Sequence, residues 1–97
     1  MEYLKRYNLT DSDISLFLET LNHSDIRELE LNEERVSAIL EYLLSIGITN
    51  LRDIICDRVY LLYDNLSIIQ EKLEPYRDSS MISLINQNIT YLDTIGI

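Results

Sequence analysis

Apolar residues return along this chain every three or four positions, the spacing of one face of an α-helix. Over residues 11–21 the stripe is Ile14, Phe17, Leu18 and Leu21. Thr10, followed three residues later by Asp13, predicts an N-cap with a carboxylate facing the exposed amides and the helix dipole. After a break at Asn22 and His23, Ser24 is placed to cap a short helix holding Ile26 and Leu29. The strongest stripe, Val36, Ile39, Leu40 and Leu43, predicts a helix over 33–46 that Asn32 caps and Glu33 and Glu34 open. Gly47 suits the left-handed residue that ends it, and Ile48 the apolar contact beyond.

Asn50 and Asp53 restart the pattern in a short helix through Leu51, Ile54 and Ile55, followed by a kink near Arg58 and Val59. Leu66, Ile69 and Leu73 predict a helix over 64–74. Pro75 ends it by disfavouring helical geometry in the residue before. Ser79 or Ser80 caps a last helix over 81–95, striped by Ile82, Ile85, Ile89 and Leu92. The predicted core is Val36, Ile39, Leu40, Leu43, Ile54, Leu62, Leu66, Ile69, Leu73, Ile85, Ile89 and Leu92.

The stripes repeat at a spacing of 30 residues. Val36, Ile39 and Leu43 recur as Leu66, Ile69 and Leu73, and Ile54, Ile55, Val59 and Leu62 as Leu84, Ile85, Ile89 and Leu92. Helix pairs at such a period stack so that each buries its apolar face against its neighbours. The expectation is therefore an all-α single domain over 1–97, about five to seven short helices without a sheet, arranged as a short helical-repeat solenoid. A second echo has another spacing: Tyr42 to Ile48 matches Tyr91 to Ile97 at five of seven positions, 49 residues apart. It marks a reused helix terminus.

Composition narrows the function classes. With 46% apolar and 26% charged residues the chain has the balance of a folded domain. The net charge of −9, from 17 acids and 8 bases, opposes binding to a phosphate backbone or an anionic membrane. Glu30, Glu33, Glu34 and Glu41 concentrate the excess into a candidate acidic patch suited to a basic protein partner. One cysteine excludes an internal disulfide, and there is neither a signal-like N-terminus nor a membrane-length apolar run. A cytoplasmic location is the expectation.

The run Leu43-Leu44-Ser45-Ile46-Gly47-Ile48, then Asp53-Ile54-Ile55, then Leu61-Leu62, resembles the mitochondrial transcription termination factor family over about residues 25–97. The resemblance implies helical repeats stacked into a curved solenoid, gripping nucleic acid along a basic concave face. Val59 stands where that family has proline, and the eight Lys and Arg are too few for a basic groove.

Candidate chemistry is sparse. His23, Ser24 and Asp25 are consecutive, so their side chains diverge and cannot form a relay. Cys56 has arginines nearby but no histidine base, and reads as a small apolar residue. Asp11, Asp13 and Ser15 open like a calcium loop, yet Leu16 holds the glycine position and Asn22 the final glutamate position. The expectation is a non-enzymatic module without catalytic residues, metal or cofactor. Protein–protein interaction leads; nucleic-acid binding by resemblance and acidic mimicry of nucleic acid are the alternatives. Seven tyrosines offer either interface aromatics or core-edge residues with their hydroxyls in water. Tyr60, Tyr63, Leu84, Asn88, Tyr91 and Ile97 are the candidate interface. A homodimer is expected through the last helix, whose outer side carries almost no charge.

Overall fold

The computed structural model describes residues 1–97. The chain is all-helical with no strand: α1 Asp11–Thr20, α2 His23–Leu31, α3 Glu33–Ser45, α4 Leu51–Asp57, α5 Leu66–Leu73, α6 Ser80–Gln87 and α7 Tyr91–Thr94. Three 3-10 segments, Glu2–Tyr7, Val59–Tyr63 and Glu74–Tyr76, complete it.

Caps account for the helix starts. At α1 a capping box forms: the Asp13 amide donates to Thr10 Oγ1 at 3.1 Å and the Thr10 amide to Asp13 Oδ2 at 2.9 Å. Ile14, Phe17 and Leu21 face inward, but Leu18 is 51% exposed, because it lies about 100° round the helix from the fully buried Phe17. The cap of α2 is Asn22, not Ser24: Asn22 Oδ1 accepts the Asp25 amide at 2.8 Å, so the helix starts earlier than the hydroxyl implied. Asn32 stands at the α3 N-cap position without capping it. That residue also ends α2: its Nδ2 donates back to the Glu28 carbonyl and carboxylate, both at 2.9 Å, and its backbone (φ −120°, ψ 43°) is not the extended one of a capping residue.

Two stops differ from expectation in mechanism. α5 ends at Leu73, yet Glu74 keeps helical angles (φ −56°, ψ −39°) and Pro75 sits inside the tightened turn Glu74–Tyr76. Pro75 has no N–H for the helical ladder, and this absence stops the α-helix. The expected helix 81–95 is two helices, broken where Asn88 is extended (φ −158°, ψ 115°). Asn88 Oδ1 accepts from the Thr90 amide and hydroxyl at 3.0 and 2.8 Å, a local bond set that competes with helix continuation. Ser79 caps α6 by accepting the Met81 amide at 3.2 Å.

One cluster of 25 buried residues forms the core. Every predicted core residue is in it except Leu66, which is half-buried against it. Tyr3, Leu4, Tyr7 and Leu9 join it from the N-terminus, so α3 is wrapped on several sides, by residues 2–7, α2, α5 and the Val59–Tyr63 segment. The order α3, α4, 3-10 segment returns 30 residues on as α5, α6, α7, whereas the first 32 residues follow a different plan. The principal extents are 33 × 24 × 22 Å.

The two glycine-ended helices are closed alike. Gly47 (φ +96°) donates to Leu44 O at 3.1 Å while Ile48 donates to Leu43 O at 3.0 Å. Gly96 (φ +81°) donates to Asp93 O at 3.2 Å while Ile97 donates to Leu92 O at 3.1 Å. Both are Schellman turns, in which glycine supplies the left-handed residue. The first is also clamped: Asn86 of α6 donates to Gly47 O and accepts from the Thr49 amide, each at 2.8 Å. Asn50 Nδ2 answers by donating to Ile85 O at 2.8 Å.

Candidate interaction surface

The charges sort into engaged cations and free carboxylates. Lys5 pairs with Glu2 and Asp11 at 2.8 and 2.6 Å, which raises its pKa through those bonds. Arg6 meets Glu33 at 3.1 Å, and Arg35 reaches Leu62 O at 3.1 Å and Glu28 at 3.5 Å. Arg52 lies 3.6 Å from Asp53, Arg58 bonds Asp93 at 2.9 Å, and Arg77 bonds Glu74 at 2.6 Å. Lys72 caps the Gly96 carbonyl at 3.0 Å. Arg27 is the one cation without a hydrogen-bond or ion-pair partner. On the acid side Glu19, Glu30, Glu34, Asp57, Asp64, Glu71 and Asp78 have none. The surface is therefore more one-signed than the residue counts imply, with almost no guanidinium or ammonium free to meet a phosphate.

Much of the aromatic content is structural. Tyr3, Tyr7 and Tyr42 are buried, Tyr63 and Tyr76 half-buried, and only Tyr60 and Tyr91 exposed, at 47% and 38%. Their hydroxyls join elements instead of simply meeting water. Tyr3 donates to the Leu29 carbonyl at 2.5 Å, Tyr7 to Glu41 at 3.3 Å, Tyr42 to Glu74 at 2.6 Å, and Tyr63 to Asp25. Burial first, and then neighbouring carboxylates, push the Tyr3, Tyr42 and Tyr63 hydroxyls up to about 12. Glu74 is held below the usual carboxylate range, chiefly by Arg77 and then by the Tyr42 hydroxyl. Arg77 also stands over the Tyr42 ring, 6.0 Å from its centroid.

The expected acidic patch divides in two. Glu33 pairs with Arg6 and Glu41 accepts from Tyr7, so both help hold the N-terminal segment on α3. Glu30 and Glu34 are exposed and unpaired, on either side of the α2–α3 junction. Between them Leu31 is 70% exposed, the most open large apolar side chain of the chain. Leu31, Asn32, Glu33, Glu34 and Arg35 line a shallow depression of about 350 Å³ at this corner. Sequence periodicity missed Leu31 because it falls at a helix end, outside any stripe.

The candidate interface residues have different surroundings. Tyr63 faces α2 through Asp25, whereas Tyr60 accepts from Arg58, the residue that also holds Asp93 of the C-terminal region. Ile97 is turned inward, packed against the core by its Schellman turn. Asn88 is exposed but occupied in the α6–α7 corner. Leu84 is half-buried without joining the core cluster, and Tyr91 is exposed.

Sites for chemistry are thin. His23 and Ser24 are exposed, and Asp25 turns to Tyr63. Cys56 is half-buried, its thiol pushed up by burial and then by Asp57 and Asp53. No three His, Cys, Asp or Glu side chains converge in metal-holding geometry. A cleft of about 220 Å³ between residues 7–13 and 49–53 is mostly polar, its Asp13 carboxylate already committed to the Thr10 cap. No helix is long and apolar enough to cross a membrane. The chain matches no family model, and no curated protein or solved structure aligns with it significantly.

Proposed function

We propose that this chain is a non-enzymatic interaction module that docks a basic protein segment on the α2–α3 corner. The observation that carries the reading is Leu31, 70% exposed between two unpaired carboxylates, Glu30 and Glu34. An apolar anchor flanked by unpaired carboxylates is the complement of a segment with a hydrophobic residue beside Lys or Arg. Carboxylates steer the approach and the leucine supplies buried area, so affinity is expected to fall with salt without vanishing. Helical repeats, read from the 30-residue spacing, agree with a scaffold role.

Nucleic-acid binding, which the family resemblance implies, lacks the free cations it requires. At physiological salt no mobility shift with duplex DNA or RNA is expected. The test of the main reading is affinity capture from the host extract with the wild-type chain and with Glu30→Lys/Leu31→Ser/Glu34→Lys. A basic protein retained by the first and lost from the second supports the proposal. Equal retention by both places the binding face elsewhere.

A further inference from the structure

We infer that Arg6 is an internal competitor of the basic partner: its guanidinium holds Glu33 at the α2–α3 corner, and a cation of the docked segment takes its place. The inference rests on the docking role proposed above for that corner and adds its regulation. Glu33 is one of the five residues lining the depression beside the exposed Leu31. Arg6 does not line it. It reaches Glu33 from the N-terminal segment Glu2–Tyr7, with Nη2 3.1 Å from Oε1. Three carboxylates, Glu30, Glu33 and Glu34, stand within three residues of Leu31, and the chain's own basic side chain already occupies one of them.

The pair can part while the segment stays. Tyr3, Leu4 and Tyr7 are buried, and the Tyr3 hydroxyl donates to Leu29 O at 2.5 Å, so residues 2–7 are held without Arg6. The Arg6 and Glu33 side chains are 65% and 52% exposed and share one hydrogen bond, a contact that adds little to stability. A cation brought in by a docked segment is shielded from water by Leu31 and by the segment's own apolar residue. The same charge contact is stronger there, because the surrounding dielectric is lower. Arg35, also at the depression, is no such competitor: its donors are spent on Leu62 O and Glu28, and neither lines the depression. Arg27, one helical turn before Leu31 on α2, has no partner and blocks no carboxylate. Arg6 thereby weakens the corner's hold on basic segments and raises the number of cations a partner needs.

The test is a chemical-shift titration of the whole chain with a blocked peptide of leucine flanked by arginines, at low ionic strength, where screening is weak. The wild-type chain is expected to bind it, and Glu30→Lys/Leu31→Ser/Glu34→Lys to lose it. Arg6→Gln is expected to bind about two- to fivefold more tightly, the size of an exposed ion pair. In a Glu33→Gln background the same change is expected to have no effect. Arg52→Gln, an equal change of net charge on α4, is expected to match wild type. Amide exchange at Tyr3, Leu4 and Tyr7 is expected to stay slow in Arg6→Gln, since only the side chain gives way. Arg6→Gln that binds like wild type, acts equally without Glu33, or is matched by Arg52→Gln overturns the inference while the docking reading stands. Faster exchange at residues 3–7 overturns it too, because the segment and not Arg6 is then the competitor. A peptide that binds both wild type and the triple variant alike, or neither, removes the docking reading and this inference with it.

Discussion

The two Schellman turns of this molecule share five of seven residues and the same pair of backbone hydrogen bonds, yet they sit in different surroundings. The Gly47 turn lies under α6. A Cβ built on Gly47 meets Ile82 Cγ2 at 3.3 Å, and Asn86 grips the backbone on either side of Ile48, which is 0% exposed. The Gly96 turn is open: a Cβ there meets nothing within 4 Å, and Ile97 is half-buried. Local sequence made the same turn twice, and long-range packing made one of them a joint between helices.

The largest test of that difference is truncation of the leucine at the matching position in each turn. Leu43→Ala is expected to cost about 2–5 kcal/mol, as for a leucine in a site walled on all sides. Leu92→Ala is expected near the lower end of that range, because α7 has four residues and can settle into the space. Urea melts of both variants measure the gap, and equal losses would erase the contrast.

Glycine replacement sharpens the comparison. Both glycines have positive φ, so Gly→Ala costs about 1–2 kcal/mol at either site from backbone strain alone. Gly47→Ala is expected to exceed Gly96→Ala by the added pressure on Ile82. An effect of similar size comes from the clamp. Asn86→Ala removes two hydrogen bonds to the Gly47 turn and is expected to cost about 1–3 kcal/mol. Hydrogen exchange at the Thr49 amide is expected to speed up, while exchange at the Gly96 and Ile97 amides stays as it was. Matching changes at both turns would mean that the clamp does not distinguish them.

The smallest expected effect is pH dependence of the Tyr42–Glu74 contact, which ties α3 to the turn after α5. Glu74 is lowered from its ordinary value, so its stabilisation is complete above the unfolded carboxylate range and fades as pH falls through its folded pKa. Tyr42 is raised to about 12, so its contribution is complete below the unfolded tyrosine value and fades as pH climbs from there towards 12. Tyr42→Phe is expected to flatten the part of both limbs that this contact supplies. Thermal melts from acid to alkaline pH check it.

What was legible in the residues was local. The three-and-four spacing placed α1, α3 and α5, and Thr10, Ser79, Gly47 and Gly96 marked ends through bonds spanning only a few residues. Where reading failed, two short-range claims competed for one residue. Asn32 had α2 to finish as well as α3 to start, and Asn88 could extend a helix or bind Thr90. The candidate surface was less legible. Leu31 and Leu84 differ from core leucines only in what fails to cover them, and the four interelement hydroxyl bonds of Tyr3, Tyr7, Tyr42 and Tyr63 span 26 to 38 residues.

The amino-acid sequence by itself determined the helical character, most helix ends and the excess of carboxylates, because each depends on residue type or on neighbours within about one helical turn. Only the tertiary structure decided that nearly every cation is engaged inside the fold, that the Gly47 turn is a joint, and that Leu31 stays uncovered. Those outcomes depend on which distant elements the chain brings together. A spacing of three or four can specify that a face is apolar, but not whether another part of the fold reaches it.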